Sequence, residues 1–258
     1  RAQYYNKNTQ MAINVDTVYK TVLLILNQQQ RGYMTPDEFN RVATQVQLEI
    51  FEGYLNDLNQ QLRSPQNNSE YANRVENLEE DLQYFQKYIS NSTLPGAITG
   101  TNPFSIDTAV VTDLYRLGSV MYRNRTIGAY SQRKEITQLL LSPLTQPTTD
   151  FPVYLYEAGT TVLPENPQLY VYPTTIILPG DINISYLATP TPPQWNYDIG
   201  TYGQFTYNNT SINFQLNVSE QSRVILKILV YAGVIINDPT VIQVASQQVQ
   251  QEEQNSKT

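Results

Sequence analysis

Proton or nucleophile chemistry in this chain would fall to carboxylates, hydroxyls, phenols and amines, because its 258 residues include neither His nor Cys. That removes imidazole general bases, thiolate nucleophiles, Ser-His-Asp triads and metal sites built on nitrogen or sulfur. It also removes disulfides, so packing alone must hold the fold. Carboxylate-based hydrolysis and oxygen-only Mg or Ca sites stay open. Such hydrolysis needs two acids facing across a cleft. Asp37, Asp57, Asp107, Asp113, Asp150, Asp181, Asp198 and Asp238 are scattered singly, mostly at cap and turn positions. Glu76, Glu79, Glu80 and Asp81 do cluster, but on a helical pattern whose opposite side is apolar, which turns them to solvent. Asp181-Ile182-Asn183 starts like a calcium loop and lacks the remainder. No phosphate-cradling glycine loop, dinucleotide fingerprint or nucleophile elbow occurs. No catalytic, cofactor-binding or metal-ligating residue is assigned, and the chain is read as non-enzymatic.

Binding chemistry is better represented. Pro192-Pro193-Gln194-Trp195 carries the single Trp, which could stack on a sugar or base or pack against a neighbouring loop. Arg116, Arg123, Arg125, Arg133 and Lys134 form the one short basic run, read as ordinary strand and turn charges. The chain as a whole is acidic, with net charge −7 and a pI near 4.7, so wrapping of nucleic acid phosphates is not expected. Charged residues make up 15 % of the chain, against about 25 % in typical globular chains. Twenty Tyr and many Asn, Gln, Ser and Thr supply polarity instead. Tyr is enriched, and Lys and Glu are depleted, where proteins meet proteins. The composition thus favours a surface largely covered by neighbours.

No apolar run is long enough to span a membrane, and no secretory signal is evident at the N-terminus. The Asn-x-Ser/Thr triplets at Asn67, Asn91, Asn124, Asn183, Asn208, Asn209 and Asn217 are therefore expected to be unglycosylated. Met11 is read as the natural initiator, with residues 1–10 an extension.

The elements that must position these residues change period along the chain. Val15, Val18, Val22, Ile25 and Leu26 predict a helix ending near Gly32. Thr35-Pro36-Asp37-Glu38 is a capping box with proline in the first helical position. It opens a second helix with the stripe Phe39, Val42, Val46, Ile50, Tyr54, Leu58 and Leu62, closed by Ser64-Pro65. Tyr71, Val75, Leu78, Leu82, Phe85 and Ile89 predict a third with a heptad seam, read as the partner in an antiparallel hairpin ahead of a two-chain coiled coil. Residues 94–103 read as a linker. Beyond it the period falls to two. Short strands are expected at 105–112, 114–123, 126–130, 153–157, 169–172, 182–187, 203–207 and 212–216, with one helix at 134–141. A helix capped by Ser219 buries Val224, Ile225, Ile228, Leu229 and Ala232, and Asp238-Pro239 opens a last one. The expected class is α+β, with an N-terminal helical hairpin or bundle, a sandwich-like antiparallel β-domain and C-terminal helices. The expected division is an extension at 1–10, a helical domain at 11–94, a β-rich domain at 103–218, a packing helix at 219–237 and a docking helix with its tail at 238–258.

Four segments carry a family resemblance: Ala12–Tyr19, Gln30–Asn40, Leu140–Leu144 and Tyr231–Pro239. Their combination resembles structural proteins of crAss-like and related marine tailed bacteriophages, over nearly the full chain. The resemblance implies a virion protein at the neck or tail, made in the bacterial cytoplasm. It implies a homo-oligomeric ring of about twelve copies between portal and tail, like a head-to-tail adaptor, with DNA only passing through the lumen. By the same analogy the C-terminal helix, through Asp238, Pro239, Val241, Ile242, Ala245 and Val249, would dock on the portal or another neck protein. No cofactor and no membrane partner is implied. The alternative is a receptor- or carbohydrate-binding tail module using Trp195 and the Tyr-rich sheet, and a wall hydrolase ranks last.

Overall fold

A computed structural model of the chain describes residues 12–28, 33–63, 69–130, 132–157, 166–235, 247–248 and 250–251. The protein is a mixed α+β chain that divides into two compact units: Arg1–Tyr84 with Pro190–Thr258, and Phe85–Thr189. The second is inserted into the first. Charge is unequally shared, for the first unit holds 10 Lys or Arg and 16 Asp or Glu, and the second six and seven. Nearly all of the net −7 therefore sits on the first unit.

The first unit opens with α1 (Val15–Gln28) and α2 (Pro36–Arg63). The capping box forms as its sequence predicts: the Thr35 N–H donates to Glu38 Oε2 at 2.9 Å, and the Glu38 N–H donates back to Thr35 Oγ1 at 3.4 Å. Phe39, Val46, Ile50 and Phe51 are fully buried along α2, and the helix stops at Arg63, before Ser64-Pro65, since a residue preceding proline disfavours helix. α3 (Ser69–Gln83) follows and packs on α2.

The second unit carries two sheets. β1 (Gln86–Ser90), β2 (Ile98–Thr99), β3 (Phe104–Ile106), β4 (Leu114–Tyr122), β5 (Arg125–Thr126) and β6 (Gly128–Tyr130) lead to the helix α4 (Arg133–Leu141). β7 (Val153–Glu157), β8 (Gln168–Tyr172) and β9 (Ile182–Ala188) complete it. One sheet runs β1-β9-β4-β5 and is antiparallel; the other runs β2-β3-β8-β7-β6 and is antiparallel except where β6 meets β7. α4 supplies the crossover that a parallel pair requires. Both sheets feed one buried cluster that includes Phe104, Val120, Leu169, Val171 and Ile184. In β4 the register slips between Leu117 and Val120, where a Cβ on Gly118 would lie 2.9 Å from the Ser185 carbonyl oxygen.

The chain then returns to the first unit through β10 (Tyr197–Ile199), β11 (Phe205–Tyr207), a 3-10 turn at Val218–Glu220 and α5 (Gln221–Ile235). Val224, Ile228 and Ala232 of α5 are fully buried, and α5 packs on α1 and α2. Within this unit Lys227 is buried and donates to Glu49 at 2.8 Å. Fully buried Gln47 donates to the Thr191 carbonyl at 2.8 Å and accepts from the Gln215 N–H at 2.8 Å, tying the returning segment to α2.

Several expectations need correction. The third helix does not reach Ile89. It ends at Gln83, and Gln86–Ser90 is a strand, because a four-residue spacing such as Phe85–Ile89 also satisfies one face of a strand. The stretch at 94–103 is no linker: Ala97 and Ile98 are buried and β2 lies within it. The strand expected at 105–112 stops at Ile106, where Asp107 Oδ1 accepts the Ala109 N–H at 2.9 Å and turns the chain. Residues 212–216 form only single bridges, Ile13 with Phe214 and Gln194 with Ile212, and belong to the helical unit. Asn217 rather than Ser219 caps the 3-10 turn, accepting the Ser219 N–H at 3.2 Å. The inserted unit thus starts at Phe85 and ends at Thr189, in place of the expected 103–218.

Candidate interaction surface

The hairpin β10–β11 forms a two-stranded sheet of its own. Its root is buried and its tip is not. At the root stands Trp195, 3 % exposed, whose indole N–H donates to Asp16 Oδ1 at 3.0 Å. Its backbone N–H donates to Asn40 Oδ1 at 2.7 Å, and its carbonyl accepts from Asn40 Nδ2 at 3.3 Å. Tyr19 lies 4.5 Å from the Trp195 ring, and Tyr197 stacks on it at 5.8 Å. Phe205 meets Tyr197 edge-on at 4.7 Å. A ladder of rings therefore runs from the helices out into the arm. Beyond it, Ile199 is 69 % exposed and Tyr202 94 %. Gly203, at φ +78°, makes the turn that carries Tyr202, a conformation that favours glycine.

The inserted unit exposes a second apolar group. Leu144 is 98 % exposed and Phe151 81 % exposed, on the segment that leaves α4. Phe151 is held by a turn, its N–H donating to the Thr148 carbonyl and hydroxyl, each at 3.2 Å. Beside it opens a cleft of about 600 Å³ lined by Tyr122, Arg123, Arg125, Thr126, Asp150, Phe151 and neighbours. Its rim is the two-residue turn joining β4 to β5, with Arg123 at φ +48° and Asn124 at φ +64°. Asn suits that left-handed position; Arg does not, and holding it there costs of order 1 kcal/mol. The Arg123 Nε lies 3.4 Å from Asp181 Oδ2, and its guanidinium lies 5.0 Å from the Tyr122 ring.

The basic run therefore separates into different roles. Arg133 forms a two-pronged pair with Glu157 and lies over Tyr170, and Arg123 pairs with Asp181. Among the described residues Arg116 and Arg125 have no ion-pair partner, and Arg125 lines the cleft. Sequence reading missed this cleft; the one available signal was an Arg in a two-residue turn between alternating apolar stretches.

Acid groups act on one another at Asp81. Burial pushes its carboxyl up, and nearby Glu220 adds to the shift. Glu220 lies 3.5 Å from Arg223. Among the described residues no group of three acids could hold a metal ion. The burial of Trp195 removes it as a stacking platform for sugar. The six residues expected to dock, Asp238, Pro239, Val241, Ile242, Ala245 and Val249, lie outside the described residues. No described helix is long and apolar enough to cross a membrane. No protein-family model and no curated protein matches the chain.

Proposed function

We propose that this protein is a structural subunit of a tailed-phage virion, forming a ring at the neck or tail that joins portal to tail and surrounds the DNA path. In that reading its first helices pack as an antiparallel hairpin, its β-rich unit as a sandwich, and its role is assembly rather than catalysis. The observation that carries it is the exposure of large apolar side chains on both units, at Ile199 and Tyr202 of the arm and at Leu144 and Phe151 of the inserted unit. Exposed apolar side chains gathered at the tip of an arm and beside a cleft suit surfaces that other chains cover. Two unlike patches on one subunit suit a heterologous contact, which closes into a ring when its rotation allows. The charge-poor, Tyr-rich composition supports the same conclusion, as does the resemblance of the four segments to crAss-like phage structural proteins. An acidic lumen would repel phosphates and let duplex DNA slide.

The proposal includes the C-terminal segment as a docking helix on the portal, through Asp238, Pro239, Val241, Ile242, Ala245 and Val249. An isolated helix of about 15 residues is marginal in water, so a partner groove would hold it. Truncation after Asn237 tests this. The shortened protein should fold with unchanged thermal stability and fail to join the neck; virions that assemble as before contradict the docking role. Stoichiometry tests the ring itself, which requires a virion copy number matched to the portal's symmetry.

A further inference from the structure

We infer that the β10–β11 arm of one copy seats in the Arg125–Phe151 cleft of the next copy, an assignment that rests on the ring proposed above and gives its contact a location. Each side of this contact is incomplete alone. A two-stranded hairpin has little stability of its own, and this one leaves β10 and β11 with one neighbour each. The cleft is bordered by strands in the same condition: β5 ends one sheet and β6 ends the other, and both contribute lining residues. Edge strands present unpaired N–H and C=O groups, and an incoming strand satisfies them. Strand addition at a sheet edge is an established mode of recognition, with side chains entering flanking pockets.

The side chains match as well. The cleft of about 600 Å³ has room for a few large side chains, and Tyr202 and Ile199 project from the arm. Arg and aromatic residues dominate the energetic centres of interfaces. Arg125 has no partner in its own subunit among the described residues and is placed to take the face of a Tyr. Charge favours a copy of this chain as occupant. Asp198 is exposed on the arm, and the arm belongs to the unit that carries nearly all the negative charge. Five of the six cations of the inserted unit lie between Arg116 and Lys134, and two of them, Arg123 and Arg125, line the cleft. Asp150 in the lining and Asp181 beside Arg123 reduce this field, which leaves Arg125 as the cation that would meet Asp198. A self-complementary two-fold contact would need one patch to serve both partners, whereas arm and cleft are different patches on different units. The contact is therefore head to tail.

The absence of cysteine makes a clean test possible. Thr201→Cys, at the exposed tip, and Thr149→Cys, in the cleft wall, are prepared separately, mixed and treated with a short bis-maleimide. A linked dimer should form in the mixture and in neither preparation alone. Arg125→Glu in the Thr149→Cys protein, or Tyr202→Ser in the Thr201→Cys protein, should lower its yield about tenfold without lowering the unfolding temperature. Asp198→Arg combined with Arg125→Glu across the contact should restore it. No mixed dimer, or a yield that ignores Arg125 and Tyr202, overturns the inference. Closed rings without the mixed dimer would remove this contact and leave the ring; the mixed dimer without closed rings would do the reverse. A small-molecule occupant would bind the cleft of a Tyr202→Ser protein as well as wild type and yield no linked dimer.

Discussion

Trp195 donates its indole N–H to the Oδ1 of Asp16 at 3.0 Å, joining residues 179 positions apart in the chain. Together with the paired backbone bonds to Asn40, this contact fixes where the chain re-enters the helical unit, and so where the arm begins. Trp195→Phe removes a donor to a carboxylate and leaves most of the ring packing, so it should cost about 1.5–3 kcal/mol. Trp195→Ala also empties the space beside Tyr19 and Tyr197 and should cost about 3–5 kcal/mol. Urea unfolding reads both, as a lower midpoint at unchanged slope.

Much of the helical unit was legible because its signals are local. The Thr35–Glu38 box and the stripe from Phe39 to Tyr54 lie within a few turns of each other, and both appear as the spacing requires. The boundaries of the inserted unit were not legible. Phe85 and Ile89 fit a helix or a strand equally well, and only pairing with β9, about a hundred residues away, selects the strand. The same non-locality hid the fate of residues 190–217. Outside the β10–β11 hairpin, their short β-like runs are held by side chains of α2, such as Gln47, and by single bridges rather than by a sheet. The cleft was invisible for a related reason: Arg125 and Phe151 become neighbours only when β6 and β7 align in parallel.

The capping box carries a pH signature. The Thr35 backbone N–H, and then its hydroxyl, hold the Glu38 carboxyl below its usual range. A carboxyl whose folded pKa is depressed stabilises the fold above its unfolded pKa, near 4.3, and that contribution disappears as pH falls through the folded value. Wild type should therefore exceed Glu38→Gln in thermal midpoint at neutral pH, and the gap should close in acid. Thr35→Ala should cost about 1 kcal/mol at neutral pH.

Asp81 has the opposite sign. Burial, reinforced by Glu220, raises its pKa in the folded state. Ionisation therefore opposes folding: stability falls as pH rises from the unfolded pKa, near 3.9, through the raised folded value, and the penalty is complete above it. Asp81→Asn should match wild type in acid and exceed it in thermal midpoint at neutral pH. A variant less stable than wild type at neutral pH would show that the Asp81 carboxylate, through its bond to Asn217, outweighs its burial.

The central claim is that this subunit closes into a ring around DNA. Class averages of the purified full-length protein in electron micrographs, taken at high protein concentration and physiological salt, test it most directly. The account predicts closed rings of one rotational order, about twelve copies, with an open centre wide enough for a duplex. Single subunits at every concentration, or open filaments that never close, would contradict it.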